Sequence, residues 1–229
     1  MIADELSKLT KAFTPKNYEN SYLLSFEGIE GSGKSTQIKL LTQALEKLDY
    51  TVTYFREPGG TDFGEKLRSA ILESKMAIDP LAEANLFAAS RAQLLFEKVI
   101  PLLKTKNQIV ILDRYIDSSL AYQGIARGLG LETILDLHKR EPLNTTCHCT
   151  FYLSIDCDTS LSRQDSRGDV KDYFEKENKD FYESLIKGFE QAASIFPNRI
   201  VKIDGSLNTE SVHSQILASL KKKTGIKFE

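Results

Sequence analysis

Apolar residues in this chain fall into short runs, separated by longer stretches in which they recur every three or four positions. The runs at 22–26 (YLLSF), 51–55 (TVTYF), 109–112 (IVIL), 150–155 (TFYLSI) and 199–203 (RIVKI) predict five strands. Several are almost continuously apolar, as strands covered on both faces tend to be. Between the first two, Ile38, Leu41, Leu45 and Leu48 follow spacings of 3, 4 and 3 and mark one face of a helix. Between the second and third, 81–103 predicts a long helix bounded by Pro80 and interrupted at Pro101. Strand, helix, strand repeated in this order implies a parallel sheet with helices on both faces. The stretch 156–180 breaks the pattern. It is strongly charged, most of all in SRQDSRGDVKDYFEKENKD, and predicts a mobile excursion or a solvated helix rather than a second domain.

Composition narrows the class. The chain has 229 residues, 30 basic against 32 acidic side chains and a net charge of −2. That near balance argues against a general nucleic-acid partner. No apolar run approaches the roughly 18 residues a membrane span needs, and the first twenty residues lack the apolar core of a secretory signal. A cytoplasmic location is the expectation. Three cysteines, Cys147, Cys149 and Cys157, do not form a disulfide framework. Cys147-His148-Cys149 invites a metal reading, but adjacent ligands on an extended chain alternate faces and no fourth ligand follows at zinc spacing. Buried cysteines entering a strand are expected instead. His138, at a helix end rich in cations, is expected to interact with the helix dipole.

The first chemistry appears directly after the first strand. Gly28-Ile29-Glu30-Gly31-Ser32-Gly33-Lys34-Ser35 fits G-x-x-x-x-G-K-[ST], with Thr36 next in line. Glycines let the backbone curl so that successive N–H groups converge on phosphate oxygens. Lys34 supplies a point charge at the β- and γ-phosphates, and the Ser35 hydroxyl can ligate Mg²⁺. The helix opening at Lys34 aims its N-terminal dipole at the same anion. A nucleoside triphosphate is the predicted ligand. No guanine signature of the Asn/Thr-Lys-x-Asp type is present, so a GTPase is disfavoured.

Three further segments carry a second pocket: REPGGT at 56–61, FAASR at 87–91 and DRYIDSSLAYQ at 113–123. Arg56 and Asp113 fall at the carboxyl ends of predicted strands, where ligands of open parallel sheets bind. There Asp113 can hold Mg²⁺ through water beside Ser35. Phe87 and Arg91 are four apart on one helical face, as are Ser118 and Tyr122. Together with FEGIEG at 26–31, these segments resemble the bacterial thymidylate kinases from about residue 22 to about residue 222, with the first twenty residues outside. The resemblance implies a three-layer α/β/α P-loop kinase fold, with a five-stranded parallel sheet and a small lid at about 158–172. It implies ATP and dTMP as substrates with Mg²⁺, in dTTP biosynthesis, and a homodimer formed through helices flanking the sheet, the apolar face of 81–103 being a candidate. It implies that Phe87 stacks on thymine, that Arg91 contacts the base edge or phosphate, and that Ser118 and Ser119 lie near the base. Tyr122 would sit beside the sugar, Gln123 would close that edge, and Glu30 would meet the 3′-hydroxyl. Arg56 and Arg114 would hold the dTMP phosphate.

The phosphate loop carries no basic residue before Lys34, so a catalytic arginine is expected from the lid. Arg163 and Arg167 are the candidates, Arg167 favoured because it stands beside Gly168. Where relatives often have a third arginine between them, this chain has Asp165. Two other readings keep the loop: a nucleoside monophosphate kinase of another base preference, and a nucleotide-binding regulator without turnover. Arg56, Arg91 and Arg114, spaced for a second anion, speak against the regulator.

Overall fold

The structure, a computed structural model, describes residues 6, 8–165 and 178–228. Each predicted run forms a strand: β1 (Tyr22–Glu27), β2 (Thr51–Arg56), β3 (Gln108–Asp113), β4 (Cys149–Ser154) and β5 (Ile200–Asp204). All pair in parallel, in the order β2-β3-β1-β4-β5, so that β1 lies at the centre. Alternation explains the continuous apolar runs. Leu24, Phe26, Ile109, Ile111, Phe151 and Leu153 face one side, where they meet Ile38, Leu41 and Leu45 of α1 (Lys34–Glu46). Leu23, Val110, Leu112 and Tyr152 face the other side and pack among Leu94, Leu95, Leu120 and Phe189. Each fully buried Leu or Phe contributes roughly 1.5–3 kcal/mol, and the two faces together give the expected three-layer fold. β2 is an edge strand, and Tyr54 on it stays exposed.

The long helix differs from its prediction in an instructive way. Pro101 does not interrupt it. After α3 (Pro80–Leu94) the chain widens into a π-helical segment (Leu95–Val99) and continues as α4 (Ile100–Leu103). In this segment the Ile100 N–H reaches back five residues to the Leu95 carbonyl. Proline lacks an N–H and its ring crowds the carbonyl four residues earlier; widening the turn just before it relieves that crowding. A second π-helical segment, Leu120–Ala126, follows α5 (Ile116–Ser119).

The remaining helices are α2 (Asp62–Leu72), α6 (Leu131–His138), α7 (Cys157–Asp165), α8 (Lys179–Ile195) and α9 (Thr209–Thr224). Residues preceding β1 dock on the body of the protein. Phe13 is buried edge-on against Phe196, with ring centroids 5.9 Å apart, and Thr14 forms a parallel bridge with Thr145. Of the predicted lid, 158–165 belongs to α7 and 166–172 lies outside the described residues. No helix among the described residues is long and apolar enough to cross a membrane.

Candidate active site

The loop after β1 needs its glycines. A Cβ on Gly28, at φ +134°, would stand 2.5 Å from the Leu153 carbonyl oxygen. The helices α2, α3, α8 and α9 begin with side-chain caps from Thr61, Asp79, Asn178 and Asn208. At α1 the capping position is Gly33, which offers no side chain, so the first N–H groups remain open to an anion. Lys34 is buried and curls over the hollow, donating to the Gly28 and Ile29 carbonyls at 3.0 and 3.2 Å. Burial, with the Arg114 charge beside it, holds its amine below the usual lysine range. Ile29 turns into the core.

A cavity of about 280 Å³ opens between this loop and the ends of β2 and β3. Glu30, Gly31, Ser32, Gly33, Lys34 and Ser35 form one side. Arg56 and Asp113, register partners on neighbouring strands, form its floor with Arg114. Arg114 has φ 71°, a left-handed conformation that costs a non-glycine residue roughly 1–3 kcal/mol. Its backbone N–H is tied to the Phe26 carbonyl at 3.0 Å. The guanidinium donates to Gly28 O at 3.1 Å and Ser118 Oγ at 3.3 Å, pairs with Glu30 at 3.1 Å, and lies 5.2 Å over the Tyr122 ring. Glu30 therefore points into the cavity rather than out to solvent. Arg68, which sequence reasoning missed, also lines it and donates to the Pro58 carbonyl at 3.1 Å. Four cations, Lys34, Arg56, Arg68 and Arg114, against three carboxylates, one of them Glu57 already paired with Arg91, suit a ligand rich in phosphate. The signal for Arg68 was available: it lies on the helix that opens directly after the REPGGT segment, seven residues beyond Thr61.

The opposite wall holds Phe87, Ser118, Ser119, Tyr122 and Gln123. The last two ride on the second π-helical segment, a device common at functional sites. Arg91 departs from expectation. It is 1% exposed and stands behind this wall, where Glu57 takes up its charge at 2.7 Å. It also donates to Ser119 Oγ at 2.9 Å and meets His138 Nε2 at 2.8 Å. His138 Nδ1 lies 2.8 Å from the Ile134 carbonyl, which makes it the N–H side and leaves Nε2 to accept from Arg91. Burial, and the Arg91 charge, pull the His138 ring down to about 3. The expected dipole role is thus replaced by a buried contact with Arg91.

Further residues behind the wall were also missed. Glu27 accepts from the Tyr115 N–H at 2.7 Å and the Ser118 hydroxyl at 2.6 Å. Burial, then the Asp117 charge, push its carboxyl up to about 8. Asp117 in turn holds Arg199 through two bonds of 2.6 and 2.7 Å. The Cys147-His148-Cys149 run is structural: both cysteines are buried thiols, and His148 Nδ1 accepts the Leu23 N–H at 3.0 Å.

On the far side of the phosphate loop lies a second cleft of about 410 Å³, lined by Gly31, Gly33, Thr36, Arg163, Gly205 and Leu207 among others. Arg163, expected as a catalytic candidate, is here and not in the first cavity. It donates to the Gly31 and Gly205 carbonyls at 2.9 and 3.1 Å. Ser160 adds a bond to the Glu30 carbonyl at 2.7 Å, so α7 rests directly on the loop. Arg167 lies outside the described residues.

The donors fit a hard divalent cation shared with phosphate. Asp113 Oδ1 is buried without a hydrogen-bond partner, on the cavity that Ser35 also lines. No cluster of three or more His, Cys, Asp or Glu among the described residues could hold a metal alone, so phosphate and water oxygens would have to complete the shell.

Comparison with known proteins gives the family. The family profile described as thymidylate kinase matches residues 26–216. A thymidylate kinase of Thermoanaerobacter sp. (strain X514) is 40% identical over 199 residues, covering 87% of this chain and 97% of that one. One from Kosmotoga olearia is 40% identical over 195 residues, covering 85% and 92%. Among solved structures, the thymidylate kinase of Ehrlichia chaffeensis superposes with a TM-score of 0.69 at 29% identity, covering 88% of this chain and 99% of that one. By sequence and by architecture, the chain belongs to the thymidylate kinase family.

Proposed function

We propose that this chain, an ATP-dependent dTMP kinase, binds dTMP in the 280 Å³ cavity and ATP across the phosphate loop, with adenine in the second cleft beside Arg163. The observation that carries the reading is the convergence of Lys34 and Arg114 on one cavity with a second set of cations, Arg56 and Arg68. The acceptor is already a phosphate oxyanion, so no general base is required; catalysis reduces to alignment and charge. Arg56 and Arg114 hold the dTMP phosphate. Phe87 stacks on the base, Ser118 and Ser119 border it, and Gln123 closes its edge. Tyr122 abuts the sugar, and Glu30 exchanges its Arg114 contact for the 3′-hydroxyl. Lys34 leaves the loop carbonyls for the β- and γ-phosphates. Gly28 to Gly33 and the first turn at Ser35 and Thr36 supply backbone N–H groups. Arg91 acts one layer back, through Ser119. Ser35 and Asp113 would hold Mg²⁺, which when bound screens the ATP phosphates. Arg167, within the proposed lid at 158–172, supplies the remaining positive charge, since Arg163 is engaged on the adenine side.

The proposal extends to organisation. Residues 21–229 form the kinase domain and 1–20 an N-terminal extension. Exposed Leu81 and Phe96 on the long helix, with Phe63 on α2, support a homodimer through this face. The enzyme works in the cytoplasm. The test is ADP release with dTMP, dUMP, ribo-TMP, dCMP and dGMP as acceptors, beside Arg114→Ala. Release on dTMP that falls about 10³-fold in the variant is expected. Equal release on dCMP or dGMP would overturn the base assignment.

A further inference from the structure

Glu83 belongs to none of the motifs, yet it is wholly buried in the first turn of α3. One of its oxygens accepts the Gln123 amide N–H at 2.8 Å; the other lies 3.6 Å from Arg127 Nε. Arg127, which follows the π-helical segment carrying Gln123, spreads over the Phe181 ring at 4.8 Å. Gln123 is itself buried and borders the cavity beside Ser119 and Tyr122.

A carboxylate paired with a guanidinium only accepts hydrogen bonds, so the Gln123 amide must turn its NH₂ towards Glu83. The flipped amide would set oxygen against oxygen in a buried site and strand both groups. Gln123 Oε1 makes no hydrogen bond within the described residues and is not among the sealed, partnerless oxygens, so it remains available to a ligand.

The two orientations of a primary amide read opposite base edges. With its oxygen fixed, the amide offers an acceptor beside its second N–H, which complements the N3–H and neighbouring carbonyl of thymine or uracil. Cytosine in the same place sets acceptor against acceptor and donor against donor; only the flipped amide would suit it. We propose that Glu83 is a specificity-determining positioning residue, which pins the Gln123 amide so that the pocket takes pyrimidines bearing N3–H and refuses cytosine. The proposal rests on the reading of this cavity as the acceptor site.

The experiment compares kcat/KM for dTMP and dCMP in the wild type, Glu83→Gln, Glu83→Asp, Gln123→Met and the Glu83→Gln/Gln123→Met pair. Glu83→Gln frees the amide to flip, so the dTMP:dCMP ratio should fall about tenfold or more. Part of that fall should be an absolute rise on dCMP, which a purely structural role would not produce. Glu83→Asp keeps the charge opposite Arg127 but withdraws it from Gln123, and should shift the ratio the same way. In the Gln123→Met background the Glu83 change should add nothing. An unchanged ratio, or an equal fall on both acceptors, would overturn the proposal. So would failure of both Glu83 variants to fold, which would make Glu83 an anchor of α3. A wild type that shows no preference for dTMP over dCMP would instead sink the acceptor-site reading itself.

Discussion

The two clefts flanking the phosphate loop are built from different material. Around the proposed acceptor cavity stands a buried shell of ionisable side chains, Glu27, Glu57, Glu83, Arg91 and His138, each bonded to a lining residue or to its neighbour in the shell. The proposed donor cleft is lined by three glycines with small and neutral side chains besides Arg163, and its polar contacts are backbone carbonyls held by Arg163 and by Gln37. A shell of buried polar groups penalises a mismatched ligand heavily, because each mispairing strands a group away from water. A glycine-lined cleft reads shape and phosphate. On the assignment proposed above, selectivity is concentrated on the acceptor side and the donor side is the more permissive.

The sharpest way to break this contrast is Arg91→Met. It leaves Glu57 buried with no counter-charge, and a loss of about 3–5 kcal/mol is expected in urea unfolding, with a raised KM for dTMP. A loss below about 1 kcal/mol would mean that the shell does not hold the wall. A control remote from both clefts is Phe13→Ala, which empties a buried aromatic site. It should cost about 3 kcal/mol yet move neither KM; a shift in either would tie the N-terminal extension to substrate binding.

Next in size is a pH effect from the shell. Below pH 6.5 the unfolded chain takes up a proton at His138 that the folded chain refuses until about pH 3. The His138 contribution should therefore be full above pH 6.5 and fall with acidification, by roughly 2 kcal/mol at pH 5, while Glu27, raised to about 8, works in the opposite sense over the same range. His138→Gln, which can still accept from Arg91, isolates the first: the stability difference between wild type and variant should shrink from pH 7 to pH 5 by that amount in unfolding curves. The smallest effect belongs to the donor side. Arg163→Ala should change stability by less than about 1 kcal/mol while raising the KM for ATP several-fold and leaving that for dTMP alone. A large unfolding penalty there would erase the difference between the clefts.

Much of the cavity was legible because its lining residues sit in contiguous motifs at strand ends and on helix turns: Lys34, Arg56, Asp113, Arg114, Phe87, Tyr122. The strands were legible because the sheet is covered on both faces, which writes apolar runs into the chain. The shell was not. Glu83 and His138 carry polar side chains on helices whose surfaces are otherwise read as solvated, and nothing local says that tertiary packing will bury them against Gln123 and Arg91. Arg91 shows the same blindness from the other direction: its helical spacing from Phe87 gave the correct face but not the depth. Pro101 misled because the usual penalty for an internal proline assumes a regular helix, and a widened turn sidesteps it.

The central place of β1 has a consequence for synthesis. Leu24 pairs with Ile111 on one side and Cys149 on the other, 87 and 125 residues further along the chain. At about 5–20 residues per second, the ribosome would take roughly 4–17 s to supply the first partner and 6–25 s to supply the second. Throughout that interval an apolar strand has only its own helix, α1, to shelter it. The nascent chain must therefore depend on chaperones, or on early docking of α1, to keep its future core from associating with other chains.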